Sequence, residues 1–272
     1  MAIRNFAAVL IFIFAAGMIL ILVPWQDNDY KKIHSTILGE TRKFLVHLPD
    51  GYGSSTRRYP VLYMLDGGNV RMFSRDTPRY SRAVATLERL QNRTVPEMIL
   101  IGIANKNRDR DMLPIKTGVS GAGGGADHFQ QFIQNELIPH IDRNYRTTQF
   151  RILYGMSDSG LFTVYSLLMA PESFSAYIAS SPTLGLCPGL IRQKADELFN
   201  NRQSLEQILY IIYCQKDSPY CHPAIPDFVE KLSLLQTKGL RWEVKVVEGA
   251  CHIPVSSLEK GLEYISFVRQ GK

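Results

Sequence analysis

No stretch of this sequence gathers five or six like charges. Its 31 Lys and Arg residues against 25 Asp and Glu leave a net charge of +6, modest for 272 residues. The basic residues are scattered, so a nucleic-acid surface is not indicated, although mild attraction to anionic lipid stays open. There is no HExxH pair and no dinucleotide fingerprint, so neither a metal nor a cofactor is implied. The glycine-rich "GAGGGAD", Gly121 to Asp127, lacks the Lys-Ser/Thr ending of a phosphate loop, and no strand runs directly into it. It reads as a flexible wall beside a site. Cysteine is scarce: Cys187, Cys214, Cys221 and Cys251 fit no CxxC pattern. Three complete pairings are open to them, and so is a free buried thiol. Internal repeats and a second globular domain are also missing. The triplet Asn92-Arg93-Thr94 matches a glycosylation sequon, a pattern that arises by chance.

What is present begins with an uncharged apolar run from Phe6 to Trp25, preceded by Arg4. Twenty helical residues span about 30 Å, the thickness of a bilayer core. A signal-peptide core is shorter and ends in a small-x-small site, which Leu22-Val23-Pro24-Trp25 does not offer. The expectation is an uncleaved anchor through residues 6–25 in the lipid bilayer, with a cleaved signal as the alternative. Arg4 on the N-terminal side favours a domain outside the cytoplasm, where disulfides persist. Residues 1–32 are thus anchor and linker, and 33–272 one domain. With 45% hydrophobic and 21% charged residues, that domain can bury a sizeable core.

Beyond the linker, short apolar runs alternate with helical patterns. "RKFLVHLP" alternates as a strand does, whereas "VLYMLDGG" and "EMILIGIAN" are continuous and apolar, as strands buried on both faces are. Ser81 to Leu90 reads as a helix, and Asn105 to Ala126 as a long irregular loop. From Asp127 onward helix and strand patterns alternate to a final amphipathic helix, "SSLEKGLEYISFV". The pattern predicts an α/β fold with a mostly parallel central sheet and helices on both faces.

One strand, "FRILYG", runs through Met-Ser-Asp-Ser-Gly into the helix "GLFTVYSLLMA". A serine at such a strand-turn-helix junction can be a nucleophile on a strained elbow; the plainer alternative is an N-cap. Residues two before and two after it crowd each other and must be small. Gly155 meets that demand, and Ser159 departs from it by one hydroxymethyl group. Ser157 is the candidate nucleophile. It needs a base, and among six histidines His252, directly after the strand "RWEVKVV", is the candidate, with His222 its rival. Asp217, just past "ILYIIYC", would steady the imidazolium, with Asp227 and Glu248 as competitors. The oxyanion requires N–H donors. Candidates are the amides of Asp158 and of Gly68, preferred over Gly67, in the loop after the early strand. The Asp158 carboxylate must then face away or be neutralised, by Arg108 or Arg110. Substrate walls are expected from the loops 69–80, 105–126 and 183–188. Asn69, Met112 and Leu184 are the candidate contacts, and Phe73 and Tyr80 are further apolar lining.

Six segments in order, "YPVLYMLDG", "RDRDMLP", "GGGADHFQQFIQNELIPHIDRNY", "YGMSDSGLFTVYSLL", "FSAYIASSP" and "GACHIPV", carry a resemblance. From Ile33 to Phe267 the chain resembles the esterases related to esterase D and the enterochelin (siderophore) esterases. The resemblance implies the α/β-hydrolase fold and serine hydrolysis, with Ser157 and His252 on the family's nucleophile and base. The acid's position varies in that family, and Asp217 is the candidate here. Ser159 stands where relatives have glycine or alanine. The leading expectation is a carboxylic-ester hydrolase outside the cytoplasm, working through an acyl-enzyme on a small-molecule ester such as a siderophore or acylated sugar. An acyltransferase using the same site, and a non-catalytic anchored binding protein, are the alternatives.

Overall fold

The computed structural model describes residues 30–68, 79–117, 121–221 and 223–271. The expected anchor at residues 6–25 lies outside them. Among the described residues no helix is long and apolar enough to cross a membrane.

Eight described strands form one sheet in the order β1-β2-β4-β3-β5-β6-β7-β8. They are β1 (Lys31–Ser35), β2 (Glu40–His47), β3 (Tyr59–Met64), β4 (Ile99–Ile103), β5 (Thr147–Met156), β6 (Ala176–Ser180), β7 (Ile208–Lys216) and β8 (Arg241–Ala250). Strands β1 and β2 pair antiparallel, as do β2 and β4, and every other pairing is parallel. The first strand opens at Lys31, inside the stretch read as linker.

The continuous apolar runs are buried along their whole length in β4 and β6, because helices cover both faces. Alternate residues of each strand feed two cores. Tyr63, Ile101, Leu153, Tyr177 and Ile211 pack with α3 (Ala126–Phe132), α4 (Ile138–Asn144), α5 (Asp158–Met169), α6 (Pro188–Asn201) and α7 (Ala224–Gln236). Leu62, Leu100, Ile152, Ile178 and Tyr210 pack instead with α1 (Arg79–Leu90) and α8 (Ser257–Arg269). The period-two division of one strand between two cores requires a sheet sandwiched by helices.

The topology sets the site. From β3 the chain crosses through α1 on one face to reach β4, then through α3 and α4 on the other face to reach β5. Strand β3 thus has β4 and β5 on its two flanks, which makes the carboxyl ends of β3 and β5 the switch point where ligands bind in sheets of this kind.

Asn105 to Ala126 is not wholly irregular, as the sequence suggested. It holds the one-turn helix α2 (Arg108–Met112), because Asn107 caps it by accepting from the Arg110 amide at 3.1 Å and Asp109 sits in its first turn. Salt bridges fasten this turn to β2. Glu40 accepts from Arg110 at 2.6 Å and Arg42 at 2.8 Å, and pairs with Lys106 at 2.8 Å. Arg42, buried over the Phe129 ring, reaches Asp111 at 2.7 Å.

Burial works to raise the Glu40 carboxyl, but Arg110, Lys106 and Arg42 overcome it and hold the pKa down at about 2 against an ordinary 4.5. A depressed carboxylate stabilises the fold fully above its unfolded pKa and loses that contribution as pH falls through the folded value. Glu40→Gln is therefore expected to cost about 1–2 kcal/mol near neutrality. In paired urea melts the difference between the two proteins should shrink as pH drops from 4.5 to about 2. A difference that stays constant over that window would exclude the ionic origin.

Candidate active site

Only Ser157 separates the end of β5 from the start of α5, and the chain reverses on it with φ 59° and ψ −122°. That conformation is disfavoured for any residue with a Cβ. It is held by the Ser157 amide donating to the Ser180 carbonyl at 2.9 Å and by the Ser157 carbonyl accepting from Leu161 at 2.9 Å. A Cβ at Gly155 would collide with the Ser159 carbonyl, and one at Gly160 would stand 2.9 Å from the Ser180 carbonyl. Both glycines are sterically required. Ser159, the departure from a small residue, fits because its fully buried hydroxyl has partners. It accepts from the Met156 amide at 2.8 Å and donates to Asp66 at 2.8 Å.

His252 lies in the loop after β8. Its Nε2 is 3.0 Å from Ser157 Oγ, and its Nδ1 is 2.7 Å from Asp217 Oδ1. The three residues chosen from chain order are thus brought together. The Asp217 side chain is inaccessible to solvent. It accepts from Ser181 Oγ at 2.6 Å and from the amides of Ser218 and Cys214 at 2.6 and 3.2 Å. Burial would raise this carboxyl, but the bonds from Ser181, His252 and the two amides hold it below the usual range. It is an ionised acceptor for an imidazole N–H. Of the competitors, Asp227 lies in the first turn of α7 and Glu248 on exposed β8. His222 lies outside the described residues.

Ser181 was not singled out from the sequence. It follows β6, the neighbour of β5, and has φ 43°. Besides donating to Asp217, its Oγ accepts from the Ile253 amide at 3.1 Å, which ties acid and base loops together. Strand adjacency was the signal that could have found it, since β6 must end beside the elbow. Cys214 and Cys251 form a disulfide between the end of β7 and the residue preceding His252, whereas Cys187 and Cys221 are free and buried. Burial pushes the Cys187 thiol up to about 12, and burial followed by Asp217 pushes Cys221 higher. Asp217, Cys221 and His252 offer three ligand-type atoms within 4.8 Å of one another. The Asp217 carboxylate in this cluster already accepts four hydrogen bonds, from Ser181, His252, Ser218 and Cys214.

For the oxyanion, the Gly67 amide is committed to the Ile103 carbonyl at 2.9 Å. The Gly68 amide has no acceptor among the described residues, and a Cβ there would come within 2.9 Å of Ala104 Cβ. Asp158 opens α5, so its amide is among the unpaired donors of a helix start. Its carboxylate turns aside. It accepts from Thr183 Oγ1 at 2.8 Å and pairs with Arg108, while Arg110 is engaged by Glu40 and Asp111.

The expected walls fare less well. Asn69 and Phe73 lie outside the described residues. Met112 is fully buried in the core that also holds Leu113 and Phe129, and Tyr80 is packed on Gly102, so neither presents a surface to substrate. Both sit inward because an apolar residue on a short helix or a strand-flanking helix is worth more in a core. Leu184 is also buried, with an edge on a groove lined by Pro188, Arg192 and Phe228.

Residues 35–218 match the family model described as Putative esterase. The chain belongs to that esterase family. The match spans well over half the chain and holds Ser157 and Asp217; His252 falls beyond it. Over 221 residues, 72% of this chain and 74% of the relative, it is 28% identical to the ferri-bacillibactin esterase BesA of Bacillus subtilis. It is 29% identical over 143 residues to the apo-salmochelin esterase of Escherichia coli, covering 47% and 42% of the two chains. An IroE-like serine hydrolase from Shewanella oneidensis superposes with a TM-score of 0.74 at 27% identity, over 88% of this chain and 79% of that one. The esterase is accordingly a carboxylic-ester hydrolase.

Two outcomes follow from this geometry. Gly155→Ala should destabilise the esterase by about 3 kcal/mol or more, because the added methyl meets backbone rather than a movable side chain; a chemical denaturation curve near wild type would contradict the elbow packing. Removing the Cys214–Cys251 bridge by the double serine substitution should cost about 2–4 kcal/mol. It should also lower turnover of a p-nitrophenyl ester roughly tenfold, as the imidazole loses one of its tethers.

Proposed function

We propose that the esterase cleaves its substrate by acyl transfer to Ser157. His252 takes the hydroxyl proton as Oγ attacks the ester carbonyl, and Asp217 holds the imidazole tautomer and steadies the imidazolium. The amides of Asp158 and Gly68 receive the oxyanion. His252 returns the proton to the leaving alcohol. Water activated by the same imidazole then resolves the acyl-enzyme. The observation that carries this reading is the relay of 3.0 and 2.7 Å from Ser157 through His252 to Asp217, on a serine with positive φ.

The substrate we propose is a polyester or acyl ester of a siderophore, by analogy with the ferri-bacillibactin and apo-salmochelin esterases. An acylated sugar is the competing substrate. We place the reaction outside the cytoplasm, with residues 6–25 as the bilayer anchor. The Cys214–Cys251 disulfide supports an oxidising compartment.

A fluorophosphonate probe should label Ser157 in the folded wild type and fail to label Ser157→Ala. The same substitution should lower turnover of p-nitrophenyl esters at least ~10⁴-fold. Unchanged turnover in Ser157→Ala would refute the nucleophile assignment. Product ratios with and without a sugar acceptor separate hydrolysis from acyl transfer, and a panel of short-acyl, aryl and siderophore esters ranks the substrates.

A further inference from the structure

The residue directly after the candidate nucleophile is an aspartate, an unfavourable choice beside an oxyanion. Its carboxylate is only a few covalent bonds from the amide proposed to receive the developing negative charge. Arg108 answers this charge. Its Nη1 pairs with Asp158 Oδ2, its Nε and Nη2 grip Asp66 at 3.0 and 3.1 Å, and Nη2 also reaches the Met156 carbonyl at 3.4 Å. Asp66 follows β3 at φ 54°, two residues before Gly68 in the oxyanion loop. It is also held by Asn105 Nδ2 and by Ser159 Oγ, with Arg79 at 3.5 Å. Two carboxylates therefore face two guanidiniums, and Arg108 bridges the two loops proposed to supply oxyanion donors by pairing with a carboxylate in each. The guanidinium fork can hold two carboxylates at once, which a single ammonium holds less well.

We propose that Arg108 is a positioning residue for ester hydrolysis. By clamping Asp66 to Asp158 it fixes the Gly68 loop against the nucleophile elbow and cancels the carboxylate charge that would otherwise repel the oxyanion. The proposal rests on the assignment of Ser157 as nucleophile and of the Asp158 amide as oxyanion donor. Ser159 is part of the same clamp: its hydroxyl bonds Asp66 from the elbow side.

The test compares wild type, Arg108→Gln, and Arg108→Gln combined with Asp158→Asn, in kcat and KM on a p-nitrophenyl ester and in the rate of fluorophosphonate labelling. In Arg108→Gln, kcat and labelling rate should each fall on the order of 100-fold, with KM within about threefold of wild type. Adding Asp158→Asn removes the uncompensated charge, so the double variant should regain about tenfold in both. Lost packing alone gives no such recovery. A single variant within threefold of wild type, or a double variant no faster than the single one, would overturn the proposal. If Arg108→Gln does not fold, a folded double variant with wild-type KM and kcat within tenfold of wild type is the supporting result, and one that folds but stays 100-fold slow is the opposing one. Wild-type protein that takes up no probe at Ser157 would instead sink the nucleophile assignment, so the two failures are distinguishable.

Discussion

Everything at the site depends on one backbone contact, where the Cα of Gly155 lies against the carbonyl of Ser159 with no space for a side chain. A strand and a helix that approach so closely leave a single residue to reverse the chain. That residue is forced into a conformation its own Cβ disfavours. The same reversal lifts the Ser157 hydroxyl out of the sheet end and leaves the first amides of α5 unpaired beside it. The candidate nucleophile and the proposed oxyanion donor thus arise from one steric fact. The relaxed N-cap geometry that a serine before a helix could have adopted is absent, and no side-chain cap bond forms at Ser157.

Strain is concentrated where the chemistry would occur. The described non-glycine residues with positive φ are Asp66, Asn92, Ser157, Ser181 and Ile253. Four of these five, Asp66, Ser157, Ser181 and Ile253, sit in the proposed oxyanion loop, at the candidate nucleophile, against the candidate acid, and directly after the candidate base. Each costs on the order of 1–3 kcal/mol and persists only where surrounding bonds over-determine it. Asp66 has its guanidinium clamp, Ser181 donates its amide to Ile212 at 2.8 Å, and Ile253 bonds the Ser181 hydroxyl. The two apolar cores on either side of the sheet offset that strain. This is the behaviour of a preorganised site rather than of four unrelated irregular turns.

How much of this could be read in the chain depended on whether the signal was local. The strand-turn-helix at Ser157 is local, and the continuous apolar strands announce a parallel sheet, so the fold and the sharp turn at the candidate nucleophile were legible together. That His252 and Asp217 would converge on Ser157 was legible from the strand ends they follow. Ser181 was not, since its role comes from β6 lying beside β5, which no local pattern encodes. Arg108 and Arg110 were indistinguishable in sequence. Their fates differ because they project from a single helical turn, one toward Asp158 and the other toward Glu40. Met112 and Tyr80 were misjudged as pocket lining for a related reason: an apolar residue in a loop-like stretch is as readily a core residue once that stretch coils into a helix. Cysteine pairing was undetermined because spacing carries no information about which strand ends converge.

The three members of the proposed triad are held unequally, and the difference has a physical cause. Ser157 and Asp217 stand at the ends of buried inner strands, where core packing fixes the backbone. His252 follows β8, the edge strand, which is mostly solvent-exposed and, among the described strands, pairs with β7 alone. Apolar burial supplies little there, and Val246 on that strand is 45% exposed. The base is instead located by discrete tethers: the disulfide from Cys251 to Cys214, the bond from the Ile253 amide to Ser181, and the contact of its own Nδ1 with Asp217. All three run back to the ends of β6 and β7, the strands between the elbow and the edge. A base fastened by tethers rather than packing can keep 39% of its side chain open to solvent and still lie in line with the serine. In the proposed mechanism the imidazole meets substrate, leaving alcohol and water in turn, which calls for that combination of openness and fixed position.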